Sequence, residues 1–231
     1  MQAFKFQAIA TVRSDYQEKF AIPRQPNLAP AARAWVDVDP RWASQGALDG
    51  IELASHVWMQ FVFHAVSNRC VSAKVRPPRL GGNERVGVFA TRSTHRPNPI
   101  GLSVVRLLAV ERHSLLIGGA DLLDGTPVLD IKPYLPWSDS VPDAEHSMAV
   151  EAPPSAEVFF ATEAERQLRR IGPSSTRLSA LIEQSLGQDP RPAYQREDTQ
   201  RVYGVRLAGF NVRWRHPETA RVEVLSVEPS D

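Results

Sequence analysis

The chain has 231 residues, 42% apolar and 23% charged, which fits a soluble globular protein of one large or two modest domains. Its formal net charge is +1, so it is no polycation, and any nucleic-acid contact must come from locally clustered basic residues. Cys70 is the only cysteine, which excludes an intrachain disulfide and a Cys-based zinc site.

The N-terminus lacks the apolar core of a signal peptide. The longest apolar run, residues 57–66, is broken by Gln60 and His64 and is too short to span a membrane. A cytoplasmic protein without a membrane partner is the expectation. Residues 4–12 alternate partly with period two and read as a strand. Residues 13–30 follow as a loop stiffened by Pro23, Pro26 and Pro30, which forbid a regular helix or central strand. Phe20 and Ile22 within it argue for packing rather than disorder. Residues 34–38 predict a short strand, 48–52 a turn or short helix, and 56–66 a mostly buried strand ending at His64.

A second cationic, proline-rich piece (Lys74, Arg76, Pro77, Pro78, Arg79) leads to a turn at Gly81, Gly82 and Asn83. Two apolar runs, residues 86–90 and 102–108, then flank a polar loop carrying Arg92, His95, Arg96 and Asn98. Pro97 and Pro99 fix that loop's backbone and push the residues before them toward extended geometry. Binding sites concentrate on loops held by a rigid scaffold, although a charged surface turn would read the same way. A hairpin around Arg112, His113 and Ser114 is followed by an Asp124-Gly125 turn and a strand over 128–135. Asp130, Lys132 and Tyr134 share parity there, facing either solvent or a polar pocket.

The pattern changes beyond a proline-rich, acidic linker at 138–154. Residues 159–171 have helical periodicity and stop at Gly172-Pro173. Ser174 or Ser175 caps a second helix that ends at Gly187. Residues 202–207, 210–215 and 221–227 read as three strands, with turns at Ala208-Gly209 and His216-Pro217. Arginines interleave with Tyr194, Tyr203 and Trp214, a mixture that suits phosphate contact and base stacking but equally a solvated strand face. The fold class predicted is a mainly β N-terminal domain, residues 1–150, forming a barrel or sandwich, with a small α+β domain over 151–231. There is no Walker A sequence, dinucleotide-binding glycine fingerprint, HExxH or G-x-S-x-G elbow. The residues alone yield a polar, Arg- and His-bearing site on β scaffolding, and no reaction.

Longer motifs carry more. GGNERVGVFATRSTHRPNPIGLSVV (residues 81–105), KFAIPRQP (19–26), VRPPRLGG (75–82) and DLLDGTPVLDIKPYLP (121–136) together resemble the TrmO (YaeB-like) family. DPRPAYQ (189–195) and VYGVRL (202–207) are similar to the second domain of its bacterial members. The resemblance implies a non-Rossmann methyltransferase: a single-sheeted β-barrel that binds S-adenosylmethionine and works as a homodimer. It implies methyl transfer to N6 of N6-threonylcarbamoyladenosine beside the tRNA anticodon, with no DNA partner. The implied cofactor contacts fall on Pro23, Arg24, Gln25, His64, Ala65, Arg92, Leu102 and Asp121, Leu122, Leu123 and Asp124, with no metal. In that reading Arg92 pairs with the cofactor carboxylate, Leu102 covers the adenine, and Asp121 or Asp124 receives ribose hydroxyls or the amino group. His95, Asp130 and Lys132 are the candidates to remove or offset the N6 proton. Arg96 or Lys132 reads the threonyl carboxylate. Tyr194, Tyr203, Arg206 and Arg213 are expected to contact tRNA, and a chain ending near Val150 should still bind cofactor. Two other readings remain open on the residues: a non-enzymic RNA-binding barrel, and a metal-dependent hydrolase using Asp121, Asp124 and Asp130.

Overall fold

The computed structural model describes residues 2–66, 72–76, 84–147, 149–191 and 198–230. Cys70, the turn at 81–83, the prolines and arginine at 77–79, and Tyr194 lie outside these residues.

The strands in chain order are β1 (Ala10–Ser14), β2 (Arg33–Val38), β3 (His56–Val62), β4 (Lys74–Val75), β5 (Val86–Gly87), β6 (Ile100–Val110), β7 (Ser114–Gly118), β8 (Pro127–Pro133), β9 (Glu157–Phe160), β10 (Tyr203–Leu207), β11 (Phe210–Glu218) and β12 (Arg221–Pro229). Six of them close into an antiparallel barrel in the order β1-β2-β7-β6-β3-β8. Closure pairs every strand on both sides and leaves no free sheet edge. Burial alternates along β3: Val57, Met59 and Phe61 are buried inside, while His56, Trp58 and Gln60 are only partly covered. On β6 the inward positions are Gly101, Ser103 and Val105. Gly101 sits directly across from Phe61, and a Cβ there would lie 2.3 Å from the Phe61 ring.

A register shift in the β3–β8 pairing sets Gln60 opposite Asp130 but Phe61 opposite Val128. One residue of slip exchanges the faces of a strand. Val128 and Ile131 therefore pack inward, and Asp130 and Lys132 project outward, where they form an ion pair with each other.

The second half is a four-stranded sheet ordered β10-β11-β12-β9, with β9 parallel to β12 and the rest antiparallel. Helices α3 (Thr162–Ile171) and α4 (Ser175–Leu186) pack on it through Ala164, Leu168, Leu178, Leu181, Ile182 and Leu186. Two four-residue helices, α1 (Pro40–Ala43) and α2 (Pro136–Asp139), complete the helical elements used here. Trp214 is the largest fully buried side chain, stacked on Tyr203 with ring centroids 4.6 Å apart. The core of this half also takes in Tyr16, Ala21, Ala29 and Ala32 from the loop after β1. The buried residues of this loop thus pack in the second core rather than in the barrel.

Several expected elements differ. The first strand starts at Ala10, not at residue 4, because Phe4 and Phe6 have nothing to pack on and remain exposed. The run 86–90 gives only the short β5, paired with β4, and then one 3-10 turn. Residues 157–160 form β9, so the helix expected from 159 begins at Thr162. His216-Pro217 is no turn. Both lie within β11, with Pro217 at a register shift where the ladder asks for no N–H.

Gly101→Ala should destabilise the protein by roughly 2 kcal/mol, because the added carbon overpacks the barrel interior. Urea denaturation of both proteins measures this, and equal midpoints would contradict the packing described.

Candidate functional site

A cavity of about 960 Å³ opens at one end of the barrel. Four loops and the ends of β3 and β6 form its walls. Ile22, Pro23, Arg24, Gln25, Pro26 and Asn27 come from the loop after β1. Phe63, His64 and Ala65 follow β3, Arg92 and Arg96 precede β6, and Asp121, Leu123 and Thr126 follow β7. Barrel closure brings together segments separated by a hundred residues, and each loop is locally fixed. Arg92 Nη1 donates to Gln25 Oε1, and Lys19 Nζ donates to the Ala65 carbonyl. Thr126 Oγ1 donates to the Leu123 carbonyl at 2.7 Å, with His64 Nδ1 3.5 Å from the same hydroxyl. The T-x-x-x-x-R-P-N-P loop is held partly by Thr91, whose carbonyl accepts from Arg96 Nη1 at 3.4 Å.

Asp121 is the one carboxylate on the cavity wall among the described residues. Its Oδ1 accepts from Ser103 Oγ at 2.8 Å. Burial pushes its carboxyl up to about 6, and the Ser103 hydrogen bond and the nearby Arg92 charge only partly offset this. Ser103 was not among the expected residues. Its signal was a hydroxyl on an inward parity position between Gly101 and Val105, a place that demands a partner. Against this single carboxylate stand Lys19, Arg24, Arg92 and Arg96, so the cavity is cationic overall.

Nine of the eleven residues expected to contact cofactor line this cavity. The other two do not face it. Leu122 is buried in the barrel core. Asp124 is turned to the barrel wall, where Oδ1 accepts from the Ser14 amide at 2.9 Å. Asp130 and Lys132 lie on the outer barrel face and are also outside the cavity, as is His95, exposed and 3.3 Å from Thr94 Oγ1. The three aspartates of the hydrolase reading therefore point to three different places. Arg96 is on the cavity wall.

The expected tRNA contacts divide as well. Tyr203 is buried against Trp214 and is not available to stack on a base. On the open face of the second sheet, Arg206 pairs with Glu18 at 2.6 Å, Arg215 with Glu223 at 2.7 Å and Arg221 with Glu157 at 3.0 Å. Arg213 is exposed there without an acidic partner among the described residues.

Comparison with known proteins accounts for this architecture. The tRNA-methyltransferase O N-terminal domain matches residues 11–140, and the TrmO C-terminal domain matches residues 153–230. The chain belongs to the TrmO family. It is 48% identical over 99% of its length to the whole tRNA (adenine(37)-N6)-methyltransferase of Escherichia coli K12. It is 51% identical, over 96% of this chain and 97% of the other, to a Pseudomonas aeruginosa protein named putative S-adenosylmethionine-dependent methyltransferase RcsF. The crystal structure of TrmO from Pseudomonas aeruginosa superposes with a TM-score of 0.83 at 44% identity, covering 98% of both chains. The TrmO cofactor is S-adenosylmethionine, and this cavity suits it. Its volume is that of a small-molecule site, apolar Leu102, Ile22 and Phe63 offer cover for a flat base, and Asp121 complements a cation.

The Asp121 shift sets a pH dependence. An ionised Asp121 would attract a positive charge on a cofactor bound in this cavity, and its pKa lies above the ordinary carboxylate value. Affinity should therefore be full above about pH 7 and should fall as pH drops through about 6. Calorimetric titration with S-adenosylmethionine checks this. Asp121→Asn should bind at least about tenfold more weakly at pH 7.5 and show no such pH dependence. An unchanged wild-type affinity between about pH 5 and about pH 7.5 would refute the assignment.

Proposed function

We propose that this chain uses S-adenosylmethionine to methylate N6 of threonylcarbamoyl-modified adenosine beside the tRNA anticodon, working in the cytoplasm as a homodimer. The observation that carries the reading is the cavity itself, lined by nine of the eleven implied cofactor positions from four segments of the chain. S-Adenosylmethionine supplies an activated methyl group on a sulfonium, so the protein's own work is binding, alignment and charge. Gln25 and Arg92 form a joined polar pair suited to the cofactor's carboxylate end. Asp121, steadied by Ser103, holds the cationic or hydroxyl end. Leu102 covers the adenine.

N6 bears a carbamoyl group, so its lone pair is delocalised and it is a poor nucleophile until its proton leaves. With His95, Asp130 and Lys132 off the cavity wall, the N6 proton passes to solvent water, and nearby positive charge rather than a dedicated side-chain base makes that loss easier. Lys19, Arg24, Arg92 and Arg96 favour the anionic form of the N6 centre in a partly dry site. Arg96 is also the cation placed to read the threonyl carboxylate. The same rim suits the phosphates of the anticodon loop. Three of the four arginines on the second sheet are neutralised by acidic partners, which leaves Arg213 as the contact from that face.

The homodimer rests on the outer face of β3 and β6. Trp58, Ile100, Leu102 and Val104 lie there and extend into the cavity wall, with Tyr134 packed beside Trp58 and Trp137 largely exposed. A second copy on this face would bury an apolar strip and roof the cavity at once. A barrel that only bound RNA would have no use for a desolvated carboxylate on the wall of a cationic cavity.

The reading is tested with labelled S-adenosylmethionine and two tRNA pools, one carrying threonylcarbamoyladenosine and one lacking it. Methyl incorporation should appear in the modified pool only. Equal incorporation into both pools, or into neither, would overturn it.

A further inference from the structure

Residues 17–30 leave the barrel, pass over the cavity and return. They carry Pro23, Arg24 and Gln25 on the way. What fixes the two ends of this loop is helix α4 of the second domain. Arg177 Nη1 lies 2.6 Å from Asp15 Oδ2 and Nη2 lies 3.4 Å from Asp15 Oδ1, while Nη1 also reaches the Ala31 carbonyl at 3.3 Å. Gln184 Oε1 accepts from the Ala31 amide at 2.8 Å. Ser185 Oγ is 3.1 Å from the Tyr16 hydroxyl in a fully buried pair. Positions 177, 184 and 185 fall on one side of a helix, two turns apart. That side meets the start of the loop at residues 15 and 16 and its end at residue 31.

A second observation concerns the loop backbone. Ala21 has φ 66° and Asn27 has φ 69°. The left-handed region is unfavourable for an alanine and persists only where the surroundings over-determine it. Ala21 is buried in the second-domain core, with Phe20 and Ile22 packed beside it. Phe20 stacks on Trp214, centroids 6.1 Å apart. The strained residue is therefore held by the second domain, two residues before Pro23.

Tyr16 completes the connection. Its carbonyl accepts from the Asp124 amide at 2.8 Å, and its main chain bridges Leu123 on one side and Leu207 of β10 on the other. The 121–124 segment, which gives Asp121 and Leu123 to the cavity, thus hangs on the same residue.

We propose that α4 is a positioning element for the cofactor site: Arg177, Gln184 and Ser185 hold residues 15–31 so that the 20–27 loop keeps its binding shape. This rests on the cofactor reading given above. The second domain is then part of the cofactor-binding machinery, not a separable RNA-binding appendage. A chain ending near Val150 would lose the α4 partners of Asp15, Tyr16 and Ala31 and the second-core packing of Ala21 together.

The test uses full-length Arg177→Met, Gln184→Ala and Ser185→Ala, none of which alters a residue in the cavity. Amide hydrogen exchange of the cofactor-free proteins should quicken at least about tenfold at residues 20–27, while the strands β2, β3, β6 and β7 exchange at the wild-type rate. Calorimetric affinity for S-adenosylmethionine should fall by about tenfold in Arg177→Met, and Arg177→Lys should recover part of it. Unchanged exchange at 20–27 would overturn the proposal. So would exchange that quickens equally in the barrel strands, since this marks general loss of stability. If the wild-type protein binds no S-adenosylmethionine, the cofactor reading fails, and the exchange arm still decides whether α4 positions the loop.

Discussion

The Tyr16 ring has no exposure, and its hydroxyl meets Ser185 across the domain boundary. Its backbone stands between Leu123 and Leu207. One residue therefore stitches the barrel, the cavity wall and the second sheet. Each large side chain so buried contributes roughly 1.5–3 kcal/mol, but position matters more here than magnitude. A phenol hydroxyl in an apolar core must keep a hydrogen-bond partner, so Ser185 is needed at that turn of α4. Burial also raises the Tyr16 phenol well above its ordinary pKa, so it stays neutral as the pair requires. The register of α4 against the loop follows, and with it the contacts of Gln184 and Arg177.

A closed barrel can build a small-molecule cavity without a glycine-rich strand–helix turn. Strand ends converge at the mouth of a barrel, and the connecting loops become neighbours whatever their distance in sequence. Here the loops are tied by polar cross-links, Arg92 to Gln25 and Lys19 to the Ala65 carbonyl. The site is built for placement and for charge. Its single carboxylate is desolvated and its four cations lie at the wall, which is the arrangement wanted where a sulfonium must be seated and an anion must form.

The sequence made much of this legible. Apolar, β-branched runs between turn signals located β2, β3, β6, β8 and the last three strands, and Gly172-Pro173 and Gly187 marked the ends of α3 and α4. Resemblance in the long motifs pointed to the segments that form the cavity. What stayed hidden was decided by tertiary packing. The β3–β8 register shift turned Asp130 and Lys132 outward, and no local pattern announces a bulge. Leu122 and Asp124 belong to a motif whose alternate residues face opposite ways, so only Asp121 and Leu123 meet the cavity. Tyr203 read as an exposed aromatic among arginines, yet its parity places it in the core with Trp214. The proline-stiffened loop was recognised as packed, but its partner, 150 residues away on α4, could not be read from spacing.

The most direct test of the account is a crystal structure of the full chain with S-adenosylhomocysteine, the demethylated product of the cofactor. The account places the ligand in the barrel-mouth cavity, in contact with Gln25, Arg92, Leu102 and Asp121. A ligand bound anywhere else on the chain, or an empty cavity at saturating concentration, would contradict it.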